Sequence, residues 1–301
     1  MVKVFNNSRT AVALLVVNRI PKLPSFSIQS IIDNSDIPIF IGYVNIADLD
    51  NLPKNPRITF VDLSDSLEHI DISQVNRDYQ DFSTDTFFSL VQLKWVLFNK
   101  ILITYRFDFL IYSDTDVIWT KPFVEIIENA FNSNSKLEIL IQNFSYIPGD
   151  PQLCMGFVVF RNGPYCHQII ENGANLHRKL LNVNPRTGDD DVMTSLYKSL
   201  NFPSEIQLLP QSTFPVGNQL NLFIKRTIFP GLVPFSPFIF HANFVVGTKK
   251  KLLLLEKFIS MQEIKSPEFN LVSRIGFEVR FFLFSLYHFL RYSLIKRFFK
   301  K

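Results

Sequence analysis

Ala11-Val-Ala-Leu-Leu-Val-Val17 is apolar at all seven positions. A strand that is apolar on both faces has to be covered on both, which is the condition of an inner strand in a mostly parallel sheet with helices above and below. Ile37–Val44 and Arg57–Asp62 read as further strands, with a short helix over Ser25–Asp33 between the first two. Thr86–Tyr105 is expected as one long helix, its Leu90, Leu93, Val96, Leu97 and Ile101 lying near helical spacing. Phe107–Tyr112 reads as a buried strand cut short by Ser113-Asp-Thr-Asp116, and Leu137–Gln142 and Met155–Phe160 add two more. Helices are expected at Pro164–Leu181 and Asp191–Leu200. Such alternation predicts an α/β domain, with a central mostly parallel sheet flanked by helices. No repeat or flexible linker interrupts it, so a single domain over residues 1–260 is expected, followed by a distinct tail at 274–301.

Apolar residues make up 47% of the 301, ample for a packed core. The net charge of +4 is too small to argue for nucleic-acid binding. Two cysteines, Cys154 and Cys166, make neither a disulfide framework nor a four-ligand zinc site. Cys154, with no histidine beside it in sequence, reads as a small packing residue. The first residues lack the basic-then-apolar order of a signal peptide, and Ala11–Val17 is far shorter than the roughly 20 residues that span a bilayer. A cytoplasmic location is the expectation.

Asp-x-Asp occurs three times, at Asp48/Asp50, Asp114/Asp116 and Asp189/Asp191, so the pattern alone is weak. Only Asp114 and Asp116 come directly after a buried strand. Ligands of open α/β sheets bind outside the carboxyl ends of the strands, and two carboxylates there can act together on a hard cation that also meets substrate phosphates. The alternative is an Asx-turn with solvated carboxylates. Asp189, Asp190 and Asp191 stand at an expected helix start, where one of them caps the helix and the other two are left to solvent or to function.

Five segments in order resemble the nucleotide-diphospho-sugar transferases of the GT-A type. They are Lys94–Lys100, Leu110–Phe123, Cys154–Arg161, Gly188–Thr194 and Phe240–Lys251, and the likeness covers about residues 10–255. The resemblance implies a Rossmann-like GT-A domain with Asp114, Asp116 and His241 as ligands of Mn²⁺ or Mg²⁺. It implies that Lys94, Asp114, Gly156, Gly247 and Lys250 contact the nucleotide-sugar donor, although it does not fix which of Lys249, Lys250 and Lys251 turns inward. It also implies that Asp189 and Asp190 serve the reacting sugar, with retention of configuration; Asp190 stands where the family usually has Gln. A metal and basic side chains suit a diphosphate leaving group, whose negative charge grows as it departs. The expected function is transfer of a hexosyl or pentosyl group to a glycan or lipid-linked acceptor. The alternatives are a sugar nucleotidyltransferase, disfavoured by the absence of Gly from Val17–Lys22, and an inactive membrane-docked binding subunit. Pro210–Pro215 reads either as a loop over the acceptor side or as a plain connector.

Residues 274–301 hold seven basic residues and one acid among many Phe and Leu. The uncharged core, Phe281–Leu290, is too short to span a membrane. Aromatics, leucines and terminal Lys/Arg suit a helix lying on an anionic lipid surface, while the imperfect polar face leaves a helix packed on the core or a dimer interface as the alternative.

Overall fold

A computed structural model of the chain describes residues 9–17, 22–45, 49, 51–67, 85–145, 149–216, 237–243, 251–256 and 259. The strands are β1 (Thr10–Val16), β2 (Ile39–Tyr43), β3 (Ile58–Asp62), β4 (Phe109–Ser113), β5 (Val117–Trp119), β6 (Ile139–Asn143), β7 (Leu153–Arg161), β8 (Ile206–Leu208) and β9 (Ile239–His241). The helices are α1 (Lys22–Asn34), α2 (Asp85–Val91), α3 (Leu93–Tyr105), α4 (Val124–Ser133), α5 (Pro164–Val183) and α6 (Asp189–Ser199).

Every residue of β1 is buried, and alternate side chains serve opposite layers. Ala11, Ala13 and Leu15 join a core built with α3, α5 and α6; Val12, Leu14 and Val16 join one built with α1 and α4. This is the covering on both faces that the apolar run requires. Seven strands form the sheet in the order β3-β2-β1-β4-β7-β6-β8. Its β1/β2, β2/β3, β1/β4 and β6/β8 ladders are parallel. The exception is β7, antiparallel to both β4 and β6. The chain moves outward from β1 through β2 to β3 and returns on the other side of β1 as β4. The strand order therefore reverses between β1 and β4, where open α/β sheets place their ligands.

The expected helix over 86–105 is two helices. Between α2 and α3 the chain turns at Gln92, whose carbonyl accepts from Trp95 N–H (3.2 Å), an i−3 contact of a tightened turn. Phe87–Tyr105 is long and apolar enough to cross a membrane by length and composition, but Trp95, Leu97, Phe98 and Ile101 are core residues here. Three elements gave no periodic signal because they are only three residues long: β5, β8 and β9. The α4 helix was also not anticipated. Its inward side chains, Ile127 and Phe131, are four residues apart. The tail at 274–301 lies outside the described residues.

Candidate active site

Asp114 leaves the end of β4, and its backbone N–H bonds to Gly156 O (2.8 Å). The antiparallel β7 makes this possible: Ser113 pairs with Phe157, which sets the start of β7 beside the end of β4. Two residues on, Asp116 precedes β5, and the β5–β9 ladder pairs Val117 with His241. Ala242 N–H then bonds to Asp116 O (2.9 Å). A 125-residue sequence gap is closed by a ladder of three pairs. The ligand atoms of Asp114, Asp116 and His241 all lie within 4.8 Å of one another.

Charge in this cluster is tightly balanced. Asp116 faces His241 Nε2 through Oδ1 (3.2 Å) and the Lys251 ammonium through Oδ2 (2.5 Å). Burial raises its carboxyl, but Lys251 and His241 outweigh burial and hold it far below the usual carboxylate range. Lys94 is only 5% exposed. It bridges Asp114 (2.9 Å) and Asp189 (2.7 Å) and sits over the Tyr112 ring at 4.8 Å. Burial opposes its charge, and the two carboxylates overcome that and raise it well above its ordinary value. Tyr112 adds a hydroxyl that donates to Asp114 Oδ1 (2.7 Å).

The three acids of α6 divide their work. Asp191 Oδ2 accepts from Gly188 N–H (3.2 Å), the capping contact. Asp189 pairs with Lys94. Asp190 Oδ1 accepts from Met155 N–H (2.6 Å), and Thr194 Oγ1 accepts from Leu153 N–H (2.9 Å), so α6 is fastened to the first residues of β7. Burial and then repulsion from Asp189 push the Asp190 carboxyl well up, opposed by the Met155 N–H.

Two carboxylates and an imidazole are a suitable donor set for a hard or borderline divalent ion. Gly156 leaves room beside them: a Cβ there would stand 2.1 Å from His241 Cε1 and 2.9 Å from Asp114 Oδ2. The residues present therefore fit such an ion.

Of the positions expected from sequence, the structure brings together Lys94, Asp114, Asp116, Gly156, Asp189, Asp190 and His241. Gly247 and Lys250 lie outside the described residues. Lys251, the alternative to Lys250, turns inward onto Asp116. Cys154 is buried as expected of a packing residue, but it does have a histidine neighbour: His241 Nδ1 is 3.7 Å from its Sγ. Burial keeps its thiol pKa high, which argues against a thiolate nucleophile. Sequence reasoning did not single out Tyr112, Gln142 or His177. Gln142 and His177 are both 0% exposed. Only the polar type of Gln142 at the end of an apolar strand could have signalled it.

The sequence model of the nucleotide-diphospho-sugar transferase family matches residues 62–255. Many solved structures are similar in fold, among them two glycosyltransferases. Mouse xyloside xylosyltransferase 1, apo form, is 12% identical, with 78% of this chain and 97% of that chain covered and a TM-score of 0.50. The galactosyltransferase LgtC, in complex with donor and acceptor sugar analogues, is 11% identical, with 77% and 86% covered and a TM-score of 0.50. No curated protein matches the sequence significantly.

Proposed function

From the premise that this chain belongs to the nucleotide-diphospho-sugar transferase family, we propose that it is a metal-dependent glycosyltransferase. It takes a hexosyl or pentosyl group from a nucleotide-diphosphate sugar and passes it, with retention, to a hydroxyl of a glycan or lipid-linked acceptor. The observation that carries this reading is the convergence of Asp114, Asp116 and His241 within 4.8 Å at the carboxyl ends of the sheet, beside the Lys94–Asp189 pair.

Asp114, Asp116 and His241 would hold Mn²⁺ or Mg²⁺. Such an ion supplies Lewis-acid stabilisation of the departing diphosphate. The protein's own groups do the rest. Lys251 brings positive charge to the same side of Asp116, and Gly247 and Lys250 are assigned to the diphosphate with it. Lys94 holds Asp114 and Asp189 fixed in direction, because it is pinned between them and cannot swing to solvent. Gly156 borders the donor sugar. Asp189 and Asp190 place their carboxyl groups near the anomeric carbon, where the transition state is oxocarbenium-like, while the bond to the diphosphate oxygen breaks and that to the acceptor oxygen forms.

The neighbours named above are a xylosyltransferase and a galactosyltransferase, which supports a fold compatible with either sugar class. Residues 1–260 form the catalytic domain in this reading. The basic, Phe-rich 274–301 segment adsorbs to an anionic surface on the cytoplasmic side of a membrane, where lipid-linked acceptors are concentrated.

Donor binding tests the proposal. UDP- and GDP-sugars are titrated with Mn²⁺, with Mg²⁺ and in EDTA, against wild type and Asp116→Ala. Binding that requires the ion in wild type and is lost in the variant is expected. Unchanged donor affinity in EDTA would refute the metal assignment.

A further inference from the structure

Gln142 is fully buried at the end of β6, and each of its polar atoms has a defined partner. Its Nε2 donates to Phe214 O (3.1 Å) and Pro215 O (3.2 Å). Its Oε1 faces His241 Nδ1 at 3.1 Å. The amide cannot be turned over, since that would aim Oε1 at two carbonyl oxygens and leave both without a donor in a dry interior. With Oε1 fixed as an acceptor, Gln142 favours a proton on His241 Nδ1. Cys154 Sγ also lies 3.7 Å from Nδ1, and it accepts from Asn243 Nδ2 (3.1 Å).

We propose that Gln142 is a positioning residue that holds His241 in its Nδ1–H tautomer, leaving the Nε2 lone pair directed at Asp116 as a ready metal donor. The inference rests on the metal reading of the site. A competing tautomer exists and has its own partner: with the proton on Nε2, the ring would donate to Asp116 Oδ1, 3.2 Å away. That arrangement would satisfy Asp116 and occupy the donor atom, but it would set the Nδ1 lone pair against Gln142 Oε1. Gln142 works against it, and a second-sphere partner that fixes the tautomer of a ligating His in this way strengthens metal binding. It also ties the 210–215 loop to the site, because the amide that orients His241 is itself held by Phe214 and Pro215.

The test uses the metal-free full chain, labelled with ¹⁵N at histidine, at pH 8, where long-range ¹H–¹⁵N correlations report which ring nitrogen carries the proton. His241→Ala identifies the His241 signals. Wild type is expected in the Nδ1–H form. Gln142→Leu, which removes the acceptor, is expected to move the ring towards Nε2–H and to weaken Mn²⁺ binding, read by EPR of free Mn²⁺, by about 10- to 100-fold. Gln142→Glu loses the loop contacts but keeps an acceptor for Nδ1–H, so it should retain the wild-type tautomer. An Nε2–H or doubly protonated ring in wild type overturns the proposal, as does a folded Gln142→Leu with unchanged tautomer and affinity. Should the Leu variant fail to fold, the Glu variant decides: Nδ1–H supports the role of Gln142 and Nε2–H removes it. Wild type that shows Nδ1–H yet binds no Mn²⁺ would sink the metal reading while leaving the tautomer assignment standing.

Discussion

Lys94 shows how a single buried charge can hold a site open to chemistry. Removing one member of a buried ion cluster costs about 3–5 kcal/mol, because the partners left behind are charged and desolvated. Lys94→Met is therefore expected to lower stability by that order, read as a shift in the urea midpoint. Lys94→Met/Asp189→Asn should recover part of the loss, since one orphaned charge goes with the cation. Asp190→Asn keeps an acceptor for Met155 N–H, so stability and donor affinity should change little. A clear fall in kcat would then mark the carboxyl group as serving the transition state, and equal losses in kcat and donor binding would make Asp190 a binding residue instead. His177 is a separate case. It accepts from Trp95 Nε1–H (3.1 Å) and bonds through Nε2 to Thr187 O (3.1 Å), so the folded protein needs it neutral. Burial pulls its pKa below the ordinary value of 6.5. The unfolded chain thus takes up the proton first, and stability falls as pH drops through about 6.5. Melting curves at pH 8 and pH 5 should show a larger acid loss for wild type than for His177→Gln; equal losses would refute this.

At the scale of elements, the site depends on two pairings that reach across the chain. The β4–β7 ladder sets Gly156 against Asp114, and β5–β9 sets His241 against Asp116. Gly156 is where they meet, and a methyl group added there would collide with the imidazole, itself buried and unable to retreat. Gly156→Ala is expected to reduce Mn²⁺ affinity at least tenfold. Gly149→Ala is the control: its space is open, and its φ of +79° makes the cost one of backbone strain, about 1 kcal/mol, with no effect on the ion. Equal Mn²⁺ affinity for Gly156→Ala and wild type would mean the close approach has no role in the site. The strand alternation was legible in the sequence because a doubly covered sheet needs long apolar runs. The break at Gln92 was not legible, since Leu, Val and Phe continue across it at helical spacing. Nor were β5 and β9, whose identity as strands comes from each other.

Across the whole molecule, charge is distributed unevenly, with the last 28 residues carrying +6 and the remainder −2. Each basic residue near an anionic surface contributes about 1 kcal/mol, screened by salt, and buried Phe and Leu add an apolar component that salt does not screen. Removal of residues 274–301 should release the protein from anionic vesicles and leave donor hydrolysis intact. Full-length binding should weaken with salt without vanishing. Co-sedimentation across a salt series checks both statements. A truncated chain that no longer folds would instead place this segment in the core.

By itself the sequence determined the α/β class and the place of Asp114 and Asp116 at a strand end. An unbroken apolar run has one stable environment, and Asp-x-Asp directly after such a run cannot stay inside it. It determined as well that one acid of the α6 trio would cap that helix. The tertiary structure alone decided which charges meet. Lys94 reads as a surface residue until α3 is packed on the sheet, where Asp114 and Asp189 come within 3 Å of it. Lys251 is one of three consecutive lysines in the sequence, and its contact with Asp116 is set by the fold. Gln142 gains its partners from β9 and the 210–215 loop, 72 to 99 residues away. Hydrophobic periodicity is local and survives in a string of letters. Hydrogen bonds and ion pairs depend on distances of a few ångströms between segments remote in sequence, and only folding sets them.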